Sequence, residues 1–207
     1  MKCSAVCSVM NRHDRVNLCI ESWLRWDMCD DIVVVDWSST PPVDKTPIND
    51  KLTVLRVDNE DYFSLARAYN RGIDACRNDV VVKIDIDYVL VDVDKMTDLV
   101  EENDFDTHFV HGGGHGSNYV GFCIFNKKHN IRYNERFQGY GWDDQDLYHR
   151  LQNINIKKQK KIDDLKDIIC HIPHDNNLRV ANYRNKNLSN STIQNRDIHE
   201  SEKLTNE

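Results

Sequence analysis

No apolar run in this sequence approaches the ~20 residues that span a bilayer. The N-terminal stretch MKCSAVCSVMNRHD is too short in apolar residues, and too soon charged, for a signal peptide. The chain therefore reads as soluble and cytoplasmic. Basic excess is also lacking. Lys and Arg number 27 against 34 Asp and Glu, a formal net charge of −7. That argues against a nucleic-acid binder, which normally carries a basic face. There is no CxxC pair. The seven cysteines are odd in number and scattered. Cys3, Cys7, Cys76 and Cys170 sit in apolar segments, so buried thiols are expected rather than disulfides or a metal site. Proline is scarce, and Pro41, Pro42 and Pro47 are three of the four. They mark 38–51 as a loop. No internal repeat is visible. What remains is a chain of 207 residues, 40% hydrophobic, enough for one domain with a real core.

The first half alternates strand and helix. CSAVCSVM (3–10) reads as a strand, and 14–26 places Val16, Cys19, Ile20, Trp23 and Leu24 at helical spacing. DIVVVD (31–36) and LTVLRV (52–57) read as strands. Residues 62–77 read as a helix with Leu65, Tyr69, Ile73 and Cys76 on one face. VVVKIDIDYVLV (80–91) reads as a fourth strand. This order predicts an α/β fold with a mostly parallel central sheet flanked by helices. Ligands of such sheets bind beyond the carboxyl ends of the strands, so Asp36, Asp85 and Asp87 are expected to line one crevice. Residues 93–103 predict a short helix, 106–127 two strands around a glycine-rich loop, 134–153 a loop becoming a helix near Asp143, and 167–175 a last strand and turn. Beyond Asp175 the chain is polar and asparagine-rich, expected to be partly disordered or to order on a bound ligand.

Three constellations carry chemistry. The first is KIDID (83–87). On a continuous strand Lys83, Asp85 and Asp87 share one face. The pair is then a salt-bridged sheet edge neutralised by Lys83, a strand that ends at Asp85, or a divalent-metal site, since Mg²⁺ and Mn²⁺ take carboxylate and phosphate oxygens. The second is GYGWDDQDLYHRL (139–151). Asp143, Asp144 and Asp146 open a helix, where acids cap the N-terminus and suit its dipole. Capping alone does not call for Gly139, Gly141 and Trp142. Glycine allows close approach of a ligand, Trp142 offers a flat face to a sugar ring, and a neighbouring carboxylate suits a general base. The third is CHIPHD (170–175), where His171 and His174 lie at i, i+3; imidazoles so placed are surface or core residues, or ligands for a Mn²⁺-like ion. HGGGHG (111–116) lacks the Lys-Ser/Thr of a P-loop and reads as a connector or an acceptor-side loop.

In this order the motifs resemble those of GT-A glycosyltransferases of the broad family-2 type, over roughly residues 3–180. SVMNR, IVVVDWSS, FSLARAYNRGIDAC, VKIDID and ERFQGYGWDDQDLYHRL each resemble a block of that family. The second half is similar to the C-terminal region of β-1,4-galactosyltransferases, polypeptide N-acetylgalactosaminyltransferases and chondroitin-polymerase-like enzymes. The chain departs from relatives in reading GYGWDD where many have GWGGED, and in carrying Leu65 where galactosyltransferases have arginine.

The resemblance implies a GT-A domain over 1–175, with a nucleotide-binding half (1–91) and an acceptor and catalytic half (92–175), followed by the tail 176–207. It implies Mn²⁺ or Mg²⁺ as cofactor, a UDP-sugar donor, and a carbohydrate or glycoconjugate acceptor. Asp36 and Ser38 would meet the nucleotide base, Arg12 and Arg67 the nucleotide or its diphosphate, and Asp85 the ribose or the metal. Asp87 would be the main metal ligand, with His171 or His174 beside it. Asp144 would be the catalytic base of an inverting transfer, Asp143 an acceptor-orienting acid, and Trp142 and Gly141 acceptor-binding residues. Many relatives carry a membrane anchor, which leaves open that the chain is one domain of a larger protein. Two rivals stand beside this reading. A metal-dependent nucleotidyltransferase would also use strand-borne acids, although the net charge speaks against it. A non-catalytic carbohydrate-binding domain would need none of the three constellations together.

Overall fold

The computed structural model describes the chain except residues 45–48, 114–117, 155–157, 162–164, 176, 178–179 and 206–207. The central part of the glycine-rich HGGGHG loop therefore lies outside the described residues.

A seven-stranded sheet runs in the order β3-β2-β1-β4-β7-β6-β8. Its parallel half is β1 (Cys3–Val9), β2 (Cys29–Trp37), β3 (Leu52–Val57) and β4 (Val80–Lys83). β6 (His108–His111) and β7 (Cys123–Asn126) continue it, with β7 antiparallel to both β4 and β6, and β8 (Lys158–Lys161) closes the edge parallel to β6. β1 and most of β2 are buried on both faces, which is why they read as unbroken apolar runs rather than alternating ones. On one face pack α1 (His13–Leu24) through Val16, Ile20 and Trp23, and α3 (Val93–Glu101) through Met96, Leu99 and Val100. On the other pack α2 (Leu65–Ala75) through Ala66, Tyr69 and Ile73, and α4 (Asp143–Asn153) through Leu147, Tyr148 and Leu151. Ser64 caps α2 and Asp92 caps α3, each accepting a backbone N–H of the first turn.

Three expectations are corrected. Residues 80–91 are not one strand. β4 ends at Lys83, a turn closed by the Tyr88 N–H on the Asp85 carbonyl follows, and β5 (Tyr88–Leu90) pairs in a separate small sheet with β9 (Ile169–His171). The turn breaks the shared face assumed for Lys83, Asp85 and Asp87. Cys170 is exposed, because β9 points it away from the core, whereas the other six cysteines are buried. The polar tail contains α5 (Leu188–Thr205). Its Ser191, Asn195 and His199 are buried at 0%, 1% and 4% exposure, so this segment orders by polar packing rather than by an apolar stripe. Among the described residues, no helix is long and apolar enough to cross a membrane.

Candidate active site

The turn between β4 and β5 and the turn after β9 meet at the carboxyl end of the parallel strands. The β5–β9 ladder sets Tyr88 opposite His171, and the Ile172 N–H donates to the Asp87 carbonyl at 2.8 Å. Arg15 fastens the far side, donating to the carbonyls of Ile172 and Pro173 at 3.1 and 3.3 Å. His174 Nε2 thus lies 3.1 Å, and His171 Nε2 3.7 Å, from Asp87 Oδ2. Arg12 Nη2 reaches the same oxygen at 3.0 Å. Burial alone would raise the Asp87 carboxyl. The two histidines beside it, then the Arg12 charge, outweigh burial and hold the group far below the usual carboxylate range.

Asp87, His171 and His174 can each offer one ligand atom, all within 4.8 Å of one another. One carboxylate oxygen and two imidazole nitrogens fit a borderline ion such as Mn²⁺ better than Mg²⁺, which favours an all-oxygen shell. Arg12 Nε is buried without a hydrogen-bond partner, and a guanidinium beside this cluster suits a phosphate. The donor set and the orphaned donor therefore fit a metal–diphosphate ligand. Asp85 does not join this cluster. Its Oδ1 takes the Lys83 ammonium and the Tyr69 hydroxyl, each at 2.9 Å. Gly121 makes room for it, since a Cβ there would fall 1.9 Å from Asp85 Oδ2.

A cavity of about 680 Å³ joins this cluster to the acid block. Arg12, Asp85, Asp87, His171 and His174 line it together with Gly141, Trp142, Asp143 and Asp144. Asp144 Oδ1 accepts from Lys83 and from the Tyr133 hydroxyl, both at 2.9 Å. Burial raises the Asp144 carboxyl, with Lys83 pulling the other way. Burial, then the Asp144 charge, pushes the Asp143 carboxyl well up. Trp142 sits at the helix N-cap with a left-handed φ of 71°, its ring 5.4 Å from that of His199. Helix α5 holds the block's backbone. Asn195 donates to the Gly141 carbonyl at 2.7 Å and accepts from the Gln138 N–H at 3.0 Å. The Ser191 hydroxyl accepts from the Tyr140 N–H at 3.2 Å. Gly141, at φ 100°, is required here: a Cβ would stand 2.5 Å from Thr192 Oγ1.

Three candidates lie elsewhere. Asp36, Ser38 and Arg67 do not line this cavity. Asp36 is 1% exposed and accepts from the backbone N–H groups of Ser39 and Val43 and from Arg56 at 2.7 Å. Ser38 Oγ accepts from the Glu60 N–H and lies 2.9 Å from the Val57 carbonyl. Arg67 pairs with Glu60 at 2.7 Å and lies over the Trp37 ring. Sequence reasoning missed the residues that α5 supplies, Thr192 and Arg196 in the cavity wall among them. An 18-residue segment free of Gly and Pro was the signal available for that helix.

No family model and no curated protein matches the sequence. Solved structures do match the fold. The mannosyltransferase PcManGT of Pyrobaculum calidifontis, in complex with GDP-Man and Mn²⁺, superposes with a TM-score of 0.64 at 14% identity, covering 87% of this chain and 59% of that one. The chain has the GT-A fold. S. aureus TarS 1–349 matches at a TM-score of 0.63 and 15% identity, over 92% of this chain and 68% of that one. Glucosyl-3-phosphoglycerate synthase from Mycobacterium tuberculosis, in complex with Mn²⁺, UDP-glucose and phosphoglyceric acid, matches at 0.62 and 15%, over 94% and 79%. The chain spans about three-fifths of the mannosyltransferase's length. The β4–β5 turn, the acid block and α5 all contribute residues to the cavity wall.

Proposed function

We propose that this chain is a metal-dependent glycosyltransferase that moves a hexosyl or N-acetylhexosaminyl group from a UDP-sugar to a hydroxyl of a glycan or glycoconjugate, with inversion. One observation carries the reading: the Asp87–His171–His174 ligand set, with Asp87 buried and both histidines half-buried, lines the same cavity as the acid block. The structural neighbours support it, since the mannosyltransferase was solved with GDP-Man and Mn²⁺, the glucosyl-3-phosphoglycerate synthase with UDP-glucose and Mn²⁺, and TarS with UDP-GlcNAc.

A divalent ion held by Asp87, His171 and His174 would stabilise the negative charge that develops on the departing diphosphate. Arg12 binds the same diphosphate through its free Nε–H. Asp144 takes the acceptor's hydroxyl proton on Oδ2, because Oδ1 is already occupied. The acceptor oxygen then bonds to the anomeric carbon from the face opposite the leaving group. The bond between that carbon and the β-phosphate oxygen breaks, and the electron pair leaves with UDP. Asp143, whose carboxyl burial raises, orients a second acceptor oxygen. Trp142 packs the sugar ring, and Gly141 lets its backbone approach closely.

A donor screen tests this reading: turnover of UDP-glucose, UDP-galactose, UDP-GlcNAc and GDP-Man with Mn²⁺, beside nucleoside triphosphates. Sugar-nucleotide turnover that is metal-dependent and lost in Asp144→Asn is expected. Turnover of triphosphates alone would mark a nucleotidyltransferase, and no metal-dependent binding of UDP a carbohydrate-binding domain.

A further inference from the structure

Lys83 ends β4, and the strand's alternation places it on the same face as Val81, which packs with α2 and α4. It is fully buried. Its ammonium lies 2.9 Å from Asp85 Oδ1 and 2.9 Å from Asp144 Oδ1. The Tyr69 ring lies 4.6 Å from Nζ. The hydroxyls of Tyr69 and Tyr133 complete the cage, one at each carboxylate. One nitrogen thus joins the donor-side turn to the first turn of α4, 61 residues further along the chain.

A buried ion pair is a poor source of stability. Desolvation offsets most of the attraction, and well-packed apolar residues often serve as well. The surrounding layer holds Val81, Tyr69, Cys123 and Leu147, among which an apolar side chain at position 83 would be ordinary. The lysine is better explained by its effect on the two acids. It occupies both Oδ1 atoms and fixes both carboxylate planes, leaving Oδ2 of each for the cavity that both residues line.

We propose that Lys83 is the positioning residue of the transfer step: its ammonium sets the Asp144 carboxylate toward the acceptor and couples the acid block to the donor-side turn. This rests on the glycosyltransferase reading. Lys83 also sets the charge balance around the base. Asp85 and Asp143 face Asp144 as acids. Tyr133 and Tyr148 from its own side, Tyr69 from α2, Tyr88 from β5 and Cys123 from β7 face it as neutral groups. Lys83 is the cation of the set.

The test replaces Lys83 by Met, which keeps length, and by Gln, which keeps a hydrogen-bond donor. Both are assayed for kcat, donor KM, UDP affinity with Mn²⁺ and the pH profile of kcat. Lys83 touches none of Asp87, His171 and His174, so UDP–Mn²⁺ affinity and donor KM are expected within about threefold of the parent. kcat is expected to fall by about 100-fold, the scale of a misplaced general base. The acidic limb of the profile should move to higher pH as the cation is lost. A variant with kcat within threefold of the parent overturns the proposal. So does joint loss of kcat and UDP–Mn²⁺ binding in both variants, which would make Lys83 a folding residue. A parent that turns over no sugar nucleotide overturns the glycosyltransferase reading and this proposal with it, whereas an active parent with equally active variants overturns this proposal alone.

Discussion

His199 Nδ1 lies 2.7 Å from Asp146 Oδ1, and both side chains are buried. This contact joins α5 to α4 directly behind the acid block. Arg150 braces the other oxygen of Asp146 at 2.6 Å and also binds Glu202 of α5 at 2.6 Å. The helix is thus held by polar contacts, and the buried one between His199 and Asp146 is costly to break from one side. His199→Ala is expected to lower stability by ~1–3 kcal/mol, read as a shift in the urea midpoint at constant slope. It should also loosen Trp142, whose ring it faces, so kcat should fall more than donor affinity. An unchanged midpoint would show that α5 does not support the block.

The Asp87 cluster gives a prediction with an internal control. Mn²⁺ with UDP should raise the melting temperature of the parent by binding the folded state. Asp87→Asn should abolish that rise, because it removes the one carboxylate of the set. His174→Ala should weaken it more than His171→Ala. His174 Nε2 stands closer to Asp87 Oδ2, and its side chain is 3% exposed against 22% for His171. Equal shifts in all variants would move the metal elsewhere.

Much of the fold was legible because the first half obeys simple periods. Val33, Val34 and Val35 form an unbroken apolar strand, and Ala66, Tyr69 and Ile73 mark one face of α2. Asp87, His171, His174 and Asp144 were legible as residue types suited to metal and proton chemistry. Their meeting depends on the β5–β9 pairing, which a short apolar run cannot announce. Lys83 was legible only as a neutraliser of Asp85. Its bond to Asp144 is a long-range contact that no local pattern encodes. Helix α5 was illegible for a different reason. Its buried face is Ser191, Asn195 and His199, and a polar face carries no hydrophobic period.

Asp36 separates a resemblance from a geometry. Its position suggests contact with a nucleotide base, yet its oxygens brace residues 39 and 43 and pair with Arg56. Asp36→Asn should cost ~1–3 kcal/mol of stability, since a buried acceptor becomes in part a donor. UDP affinity should stay within about threefold, as measured by calorimetry. A tenfold loss of affinity with unchanged stability would return Asp36 to the nucleotide.

His149 gives the pH dependence. Its Nδ1 lies 2.9 Å from His199 Nε2. A second proton on His149 is opposed first by burial, then by His199 and Lys203, with Asp146 and Glu200 acting the other way. The net effect lowers it from the usual 6.5. The unfolded chain therefore binds the proton first as pH falls through about 6.5, and stability from this group is lost on the acid side. Asp143, raised by burial, has the opposite sign: its stabilising share is lost as pH rises through its folded value. The net curve mixes the two, so the difference between parent and His149→Gln is the proper observable. The parent's melting temperature, relative to that variant's, should be flat between pH 7 and 8 and fall as pH drops below about 6.5. A difference that is constant over the whole range would mean that His149 titrates alike in the folded and unfolded chain, and that the His149–His199–Asp146 chain carries no protonation constraint.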